Sequence, residues 1–141
     1  MRLTRRDALT LGAGAAAAAF LPFGALAATD ETEAAIAEFT GGASVTEGGV
    51  EIDAPEIAEN GNTVPVGVSA DNAEEILLLA NGNPNPGVAT FRFGDLAATS
   101  QASTRIRLAQ TQDLIAVAKL KDGGFAKASR NVKVTIGGCG G

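Results

Sequence analysis

Residues 104–136, TRIRLAQTQDLIAVAKLKDGGFAKASRNVKVTI, decide the fold. Ile106 and Leu108 alternate with Arg105 and Arg107, the period of two that a half-buried strand requires. Leu114 to Leu120 is a second apolar strand. Asp122-Gly123-Gly124 supplies a turn, and the chain returns from Phe125 as the partner strand. Near its end Val132, Val134 and Ile136 share one face, with Lys133 and Thr135 on the other.

Working back toward the N-terminus, the same pattern recurs. Val50-Glu51-Ile52 alternates. Ala58 to Thr63 is rich in turn residues, with Asn60-Gly61 its strongest element. In the strand at residues 64–68, Val64, Val66 and Val68 lie on one face. Pro65 cannot donate a ladder hydrogen bond, which predicts an edge strand or a bulge. Glu75 to Ala80 is an apolar run compatible with a strand or a buried helix segment. Its short length and the following NGNPNPG loop favour a strand. Val88 to Phe93 is another, with Phe91 and Phe93 on one face. Upstream, DETEAAIAEF at residues 30–39 predicts a short helix. Asp30 is its cap and Glu33 follows three residues on, while Ile36 and Phe39 share its apolar face and Gly41-Gly42 ends it. About seven short strands within roughly 100 residues predict an all-β chain, an immunoglobulin-like β-sandwich with a short N-terminal helix, a barrel being the alternative.

Residues 1–27 stand apart from this domain. Arg2, Arg5 and Arg6 form a positive start, and an alanine-rich apolar stretch follows from Ala8 to about Phe23. Ala25-Leu26-Ala27 has the small-x-small pattern of a cleavage site. Gly12, Gly14 and Pro22 make the stretch a poor permanent membrane anchor. Thr4-Arg5-Arg6-Asp7-Ala8-Leu9 has the form of a twin-arginine signal, in which Arg5 and Arg6 are the address, although Ala8 stands where Phe is commoner. Export by the Sec route is the alternative. The expected organisation is a leader at 1–27, a β-sandwich domain at 28–136 and a glycine arm at 137–141, with the mature protein in the periplasm.

The leader takes three of the eleven basic residues and one of the sixteen acidic ones, leaving eight and fifteen and a net charge of −7. That balance argues against nucleic acid or an anionic membrane surface as partner. The charge is polarised along the chain. Residues 28–75 hold twelve acids and no Lys or Arg, and residues 76–141 hold three acids and all eight bases. One reading is solvated faces of unequal sign; the other is that the basic half steers an acidic partner or anionic substrate toward the C-terminus. The absence of His removes most zinc, copper and haem sites as well as Ser–His and Cys–His catalytic pairs. No residue is assigned a catalytic or metal-binding role.

The one cysteine, Cys139, sits between Gly137-Gly138 and Gly140-Gly141. It has no intramolecular disulfide partner, and an unpaired thiol in an oxidising compartment is a liability unless it is used. Glycines give the arm a thin, permissive backbone, and five residues extend at most about 17 Å. Such an arm can thread a narrow channel and present a sulfur at its end. Nothing beside the thiol supplies a base or an oxyanion hole, so the arrangement suits a carrier whose cargo visits several active sites. The sulfur can hold further sulfur as a persulfide or thiosulfonate.

The terminal GGCGG resembles the swinging arm of the SoxY family, the sulfur-carrier subunits of the periplasmic thiosulfate-oxidising Sox system. Pro55 to Gly61 followed by Val64-Pro65-Val66 also resembles that family, as does the twin-arginine leader. The resemblance implies an immunoglobulin-like sandwich and a heteromer with SoxZ. It implies that a c-type cytochrome, SoxAX, joins thiosulfate oxidatively to Cys139. It also implies that the hydrolase SoxB releases sulfate, and that a sulfane dehydrogenase, SoxCD, oxidises the remaining sulfur where it is present. No cofactor is implied beyond covalent sulfur adducts on Cys139. Two other classes are open to the residues themselves. A ubiquitin-like carrier would use the carboxylate of Gly141, but its activation is cytoplasmic. A structural module would use Cys139 in an intermolecular disulfide.

Overall fold

A computed structural model describes the backbone of residues 23–137 and the side chains of residues 30–137. Arg5, Arg6, Gly138, Cys139, Gly140 and Gly141 lie outside the described residues, so the expectations placed on them are carried forward as proposals.

The chain folds as one helix followed by nine strands among the described residues. Helix α1 spans Phe23–Thr40. The strands are β1 (Thr46–Glu47), β2 (Val50–Asp53), β3 (Ile57–Ala58), β4 (Val64–Ala70), β5 (Ala73–Ala80), β6 (Gly87–Arg92), β7 (Gln101–Ile106), β8 (Gln112–Leu120) and β9 (Phe125–Val134). The larger sheet has the order β1-β9-β8-β5-β6, with β3 also on β9, and the smaller has the order β2-β4-β7. All pairings are antiparallel except those of β1 and β3, which lie parallel to β9. Between Thr46 and Ala70 the chain crosses between the sheets repeatedly and laces one side of the sandwich. The architecture is an immunoglobulin-like β-sandwich.

The core follows from alternation. Val50 and Ile52, then Val64, Val66 and Val68, turn inward from the small sheet. Ile76, Leu78, Ala80, Leu114, Ala116 and Ala118 meet them from the large one. The apolar run of β5 does not alternate because both of its faces are covered. Leu77 and Leu79 point to the outer side, where they pack with Val117 and Ile36 beneath α1. Phe39 of the helix meets Phe125 edge-on, ring centres 6.0 Å apart. Thr32, Ile36 and Thr40 are the buried stripe of the described part of the helix, four residues apart. Its end is a Schellman closure: the Gly42 amide donates to the Ala37 carbonyl at 3.1 Å, with Gly41 at φ 64°.

Several sequence expectations are corrected. Helix α1 begins at Phe23, so Asp30 lies inside it instead of capping it. Strand β4 is the middle strand of its sheet, not an edge. Pro65 is accommodated because β2 pairs only Gly67 to Ala70, leaving one flank open at Pro65, while Arg105 faces it without a bulge on the other. The terminal strands are β6 of the large sheet and β2 and β7 of the small one, while β1 and β3 lie along the other edge of β9. Ile136 does not continue the inward face of Val132 and Val134, because β9 ends at Val134 and Ile136 is 66% exposed.

Candidate functional site: the root of the C-terminal arm

Where the arm leaves the domain is set by two chain segments that converge on residues 134–137 and by a third that supports one of them. Segment 58–61, just after β3, is the first. The Thr135 amide donates to the Ala58 carbonyl at 3.1 Å, and its hydroxyl donates to the Glu59 carbonyl at 3.1 Å. The Gly61 amide donates to the Ile136 carbonyl at 2.7 Å. Local chemistry shapes this segment: the Asn60 side chain accepts from the Asn62 amide at 3.0 Å, an Asx turn that exposes the Gly61 backbone to its partners.

The second segment follows β7. Buried Leu108 donates its amide to the Gly61 carbonyl at 2.8 Å, so Gly61 ties this segment to the arm. Thr111 accepts from the Val134 amide at 2.9 Å. A Cβ placed on Gly137 would overlap the Ala109 carbonyl oxygen, so the close passage of these two backbones requires glycine there. Among the described residues the last hydrogen bond of the root is thus at the Ile136 carbonyl, and Gly137 leaves it along Ala109.

The third segment supports the second from beneath. Asn83, 4% exposed, donates to the Arg107 carbonyl at 2.8 Å and accepts from the Ala109 amide at 2.9 Å. It also accepts from Gln112, likewise buried, whose side chain accepts from the Gly82 amide at 2.8 Å. Among the described residues no buried side-chain polar atom lacks a partner. A fully satisfied buried network of this kind fixes one backbone path, because any other path strands a donor or acceptor away from water.

Sequence reading placed the functional weight on Gly137 to Gly141 and did not find this root. Gly61 lay within a recognised turn, but Thr135, Thr111, Asn83 and Gln112 carried no signal as a set. Charge is redistributed by folding. Glu75 pairs with Arg92 at 3.1 Å, Glu74 with Lys119 at 3.6 Å and Glu47 with Lys127 at 3.4 Å, so the acidic half partly neutralises the basic half. Arg105 and Arg107, both exposed, remain toward the arm end and line an open groove of about 300 Å³ between the β6 and β7 edges. Among the described residues no cluster of His, Cys, Asp or Glu could hold a metal ion, and no helix is long and apolar enough to cross a membrane.

Against known proteins, the profile of the family described as Sulfur oxidation protein SoxY matches residues 36–139, most of the chain and both the root and Cys139. The chain belongs to the SoxY family. It is similar to the sulfur carrier protein SoxY from Chlorobium limicola f thiosulfatophilum, with 34% identity and a TM-score of 0.68. That likeness covers 76% of this chain and 94% of the other. A superoxide reductase (neelaredoxin) from Ignicoccus hospitalis aligns at 22% identity and a TM-score of 0.55, over 62% of this chain and 80% of that one. A putative superoxide reductase from Thermotoga maritima aligns at 17% and 0.50, over 68% and 89%. These two establish the sandwich fold alone. No curated protein sequence matches the chain. As a SoxY family member the chain is a sulfur carrier of sulfur oxidation, a class of proteins acted on by enzymes rather than catalysing.

Proposed function

We propose that the chain is exported through Arg5 and Arg6, cleaved after Ala27, and carries thiosulfate-derived sulfur on Cys139 in the periplasm. The observation that carries this reading is the sequence Gly138-Cys139-Gly140-Gly141 following directly on a Gly137 whose backbone runs too close to Ala109 for any side chain, in a SoxY family chain. A thiol so placed is displayed beyond the domain by a backbone slim enough to enter another protein.

In the proposed cycle the Cys139 thiolate and thiosulfate join through a new S–S bond to give a cysteine S-thiosulfonate, and two electrons leave to a c-type cytochrome, SoxAX. Water, delivered by the hydrolase SoxB, then cleaves the bond between the terminal sulfur and its sulfonate. Sulfate and two protons depart, and a persulfide remains on Cys139. SoxCD oxidises that sulfur where it is present. The partner that travels with the carrier is SoxZ, a second small β protein, and the terminal strands β2, β6 and β7 are edges available to it.

Intact mass of the protein from cells fed thiosulfate tests the reading. Thiosulfonate or persulfide adducts are expected on wild type and none on Cys139→Ser, with fold and heteromer unchanged. Adducts that persist in Cys139→Ser, or a wild type found only as a disulfide dimer, would refute it.

A further inference from the structure

Three large apolar side chains are exposed on the described surface: Ile57 at 55%, Ile136 at 66% and Leu96 at 100%. Two of the three stand at the root of the arm. Ile57 precedes Ala58, whose carbonyl holds the Thr135 amide, and it pairs in register with Lys133. Ile136 is the residue before Gly137, held by Gly61. Leu96 belongs to the connection from β6 to β7 at the other end of the sandwich, where Glu75 meets Arg92 and Ser69 meets Gln101. The length of β9 separates the two ends, roughly 30 Å for ten residues in a strand.

The tether decides what the two isoleucines meet. Five glycine-arm residues would reach about 17 Å, but the Ile136 carbonyl is held by the Gly61 amide and Gly137 passes close against Ala109, so only Gly138 lies between this root and Cys139. From Gly137 the cysteine Cα is at most about 7 Å away and its sulfur about 10 Å away. An active site recessed by that depth can be reached only when the end face of the sandwich is pressed against its mouth. Groups beside Gly137 are then in contact whether or not they assist.

We propose that Ile57 and Ile136 are the docking surface of this chain. In this arrangement they seat on an apolar rim around the active-site mouth of the enzyme that receives Cys139. The inference rests on the carrier role of Cys139. Solvated isoleucines at a required contact remove apolar surface from water each time the arm enters, which lowers KM without altering the chemistry at the sulfur. The same surface serves successive enzymes, because the short tether forces the same end face on each.

The test uses carrier loaded with thiosulfonate at Cys139. Tetrathionate does this directly: the thiolate attacks an inner sulfur and thiosulfate leaves. Sulfate release by the cognate SoxB hydrolase is then measured for wild type, Ile57→Asp, Ile57→Ala, Ile136→Asp and Leu96→Asp. Iodoacetamide alkylation of the unloaded thiol serves as a control on each. Expected are at least a tenfold loss of kcat/KM for Ile57→Asp and Ile136→Asp, carried by KM, and a smaller loss in the same direction for Ile57→Ala. Leu96→Asp stays within twofold of wild type, as do all alkylation rates. Ile57→Asp and Ile136→Asp within twofold of wild type in kcat/KM would overturn the docking surface while leaving Cys139 as carrier. An equal loss in Leu96→Asp would overturn it too, since the effect would then be general charge. Loaded wild type that releases no sulfate would remove the carrier reading and this inference with it.

Discussion

Replacing Gly137 by Ala puts the anchored root to its most direct test. An alanine Cβ there overlaps the Ala109 carbonyl oxygen, and neither partner is a flexible side-chain tip. The backbone must lift away, and the contact it gives up first is the 2.7 Å bond from the Gly61 amide to the Ile136 carbonyl. Gly61 is buried, so its amide is left without water or partner, at a cost of about 1–3 kcal/mol. Because the root lies at a chain end, this cost appears as local opening and not as loss of the core. Hydrogen exchange of the Gly61 amide should therefore speed up about 5- to 150-fold, the ratio that 1–3 kcal/mol corresponds to. Exchange of Val117 in the middle of β8 should be unchanged. Gly87→Ala is the matched control, since a Cβ at Gly87 meets nothing within 4 Å. A Gly61 amide as protected in Gly137→Ala as in wild type would show that Gly137 is not held against Ala109.

Asn83→Ala removes the hub of the root network and leaves the Ala109 amide and Arg107 carbonyl unpaired, so it should destabilise the domain by about 2–4 kcal/mol. A lower urea midpoint at unchanged slope checks this, and a shift equivalent to less than about 0.5 kcal/mol would contradict it. Gly138→Val thickens the segment between the anchor and Cys139. It should leave iodoacetamide alkylation near normal while greatly reducing turnover by the partner enzymes; thiosulfate-dependent activity equal to wild type would refute channel entry. Arg5→Lys together with Arg6→Lys should hold the precursor in the cytoplasm, and mature protein appearing normally in the periplasm of that double mutant would favour the Sec route instead.

Much of the sandwich was legible because period-two alternation survives wherever one face is buried and the other wet. Val50-Glu51-Ile52, Val64 to Val68 and Arg105 to Leu108 all kept their expected faces. Glu75 to Ala80 was legible as a strand from its length and the loop after it and not from alternation, because α1 covers the outer face, so that Leu77 and Leu79 are apolar for a different reason from Ile76 and Leu78. β1 and β3 were not legible at all. Two residues carry no period, and each is a strand only because the chain laces across the β9 edge at that point. Pro65 misled because its missing donor was read as an edge of the sheet, when a neighbouring strand that stops short serves equally well.

The arm itself was conspicuous in the sequence, while its root was silent, and the difference is physical. Clustered glycines around one cysteine are a compositional anomaly, visible without coordinates. The root instead distributes its work over ordinary residues, none unusual in type, whose meaning lies in which backbone groups they reach: Thr135 to Ala58 and Glu59, Gly61 to Ile136, and Asn83 to Arg107 and Ala109. The two parts answer opposite demands. In the proposed carrier role, Gly138, Gly140 and Gly141 serve to keep the end that bears Cys139 thin. Gly137 is glycine because a neighbouring carbonyl leaves no room for anything else. A long free tail would place its thiol anywhere within its radius and pay the entropy of finding each mouth. If Cys139 is the carrier, a short reach from the hydrogen-bonded root keeps its thiol near one end face, which raises its effective concentration at a site docked there.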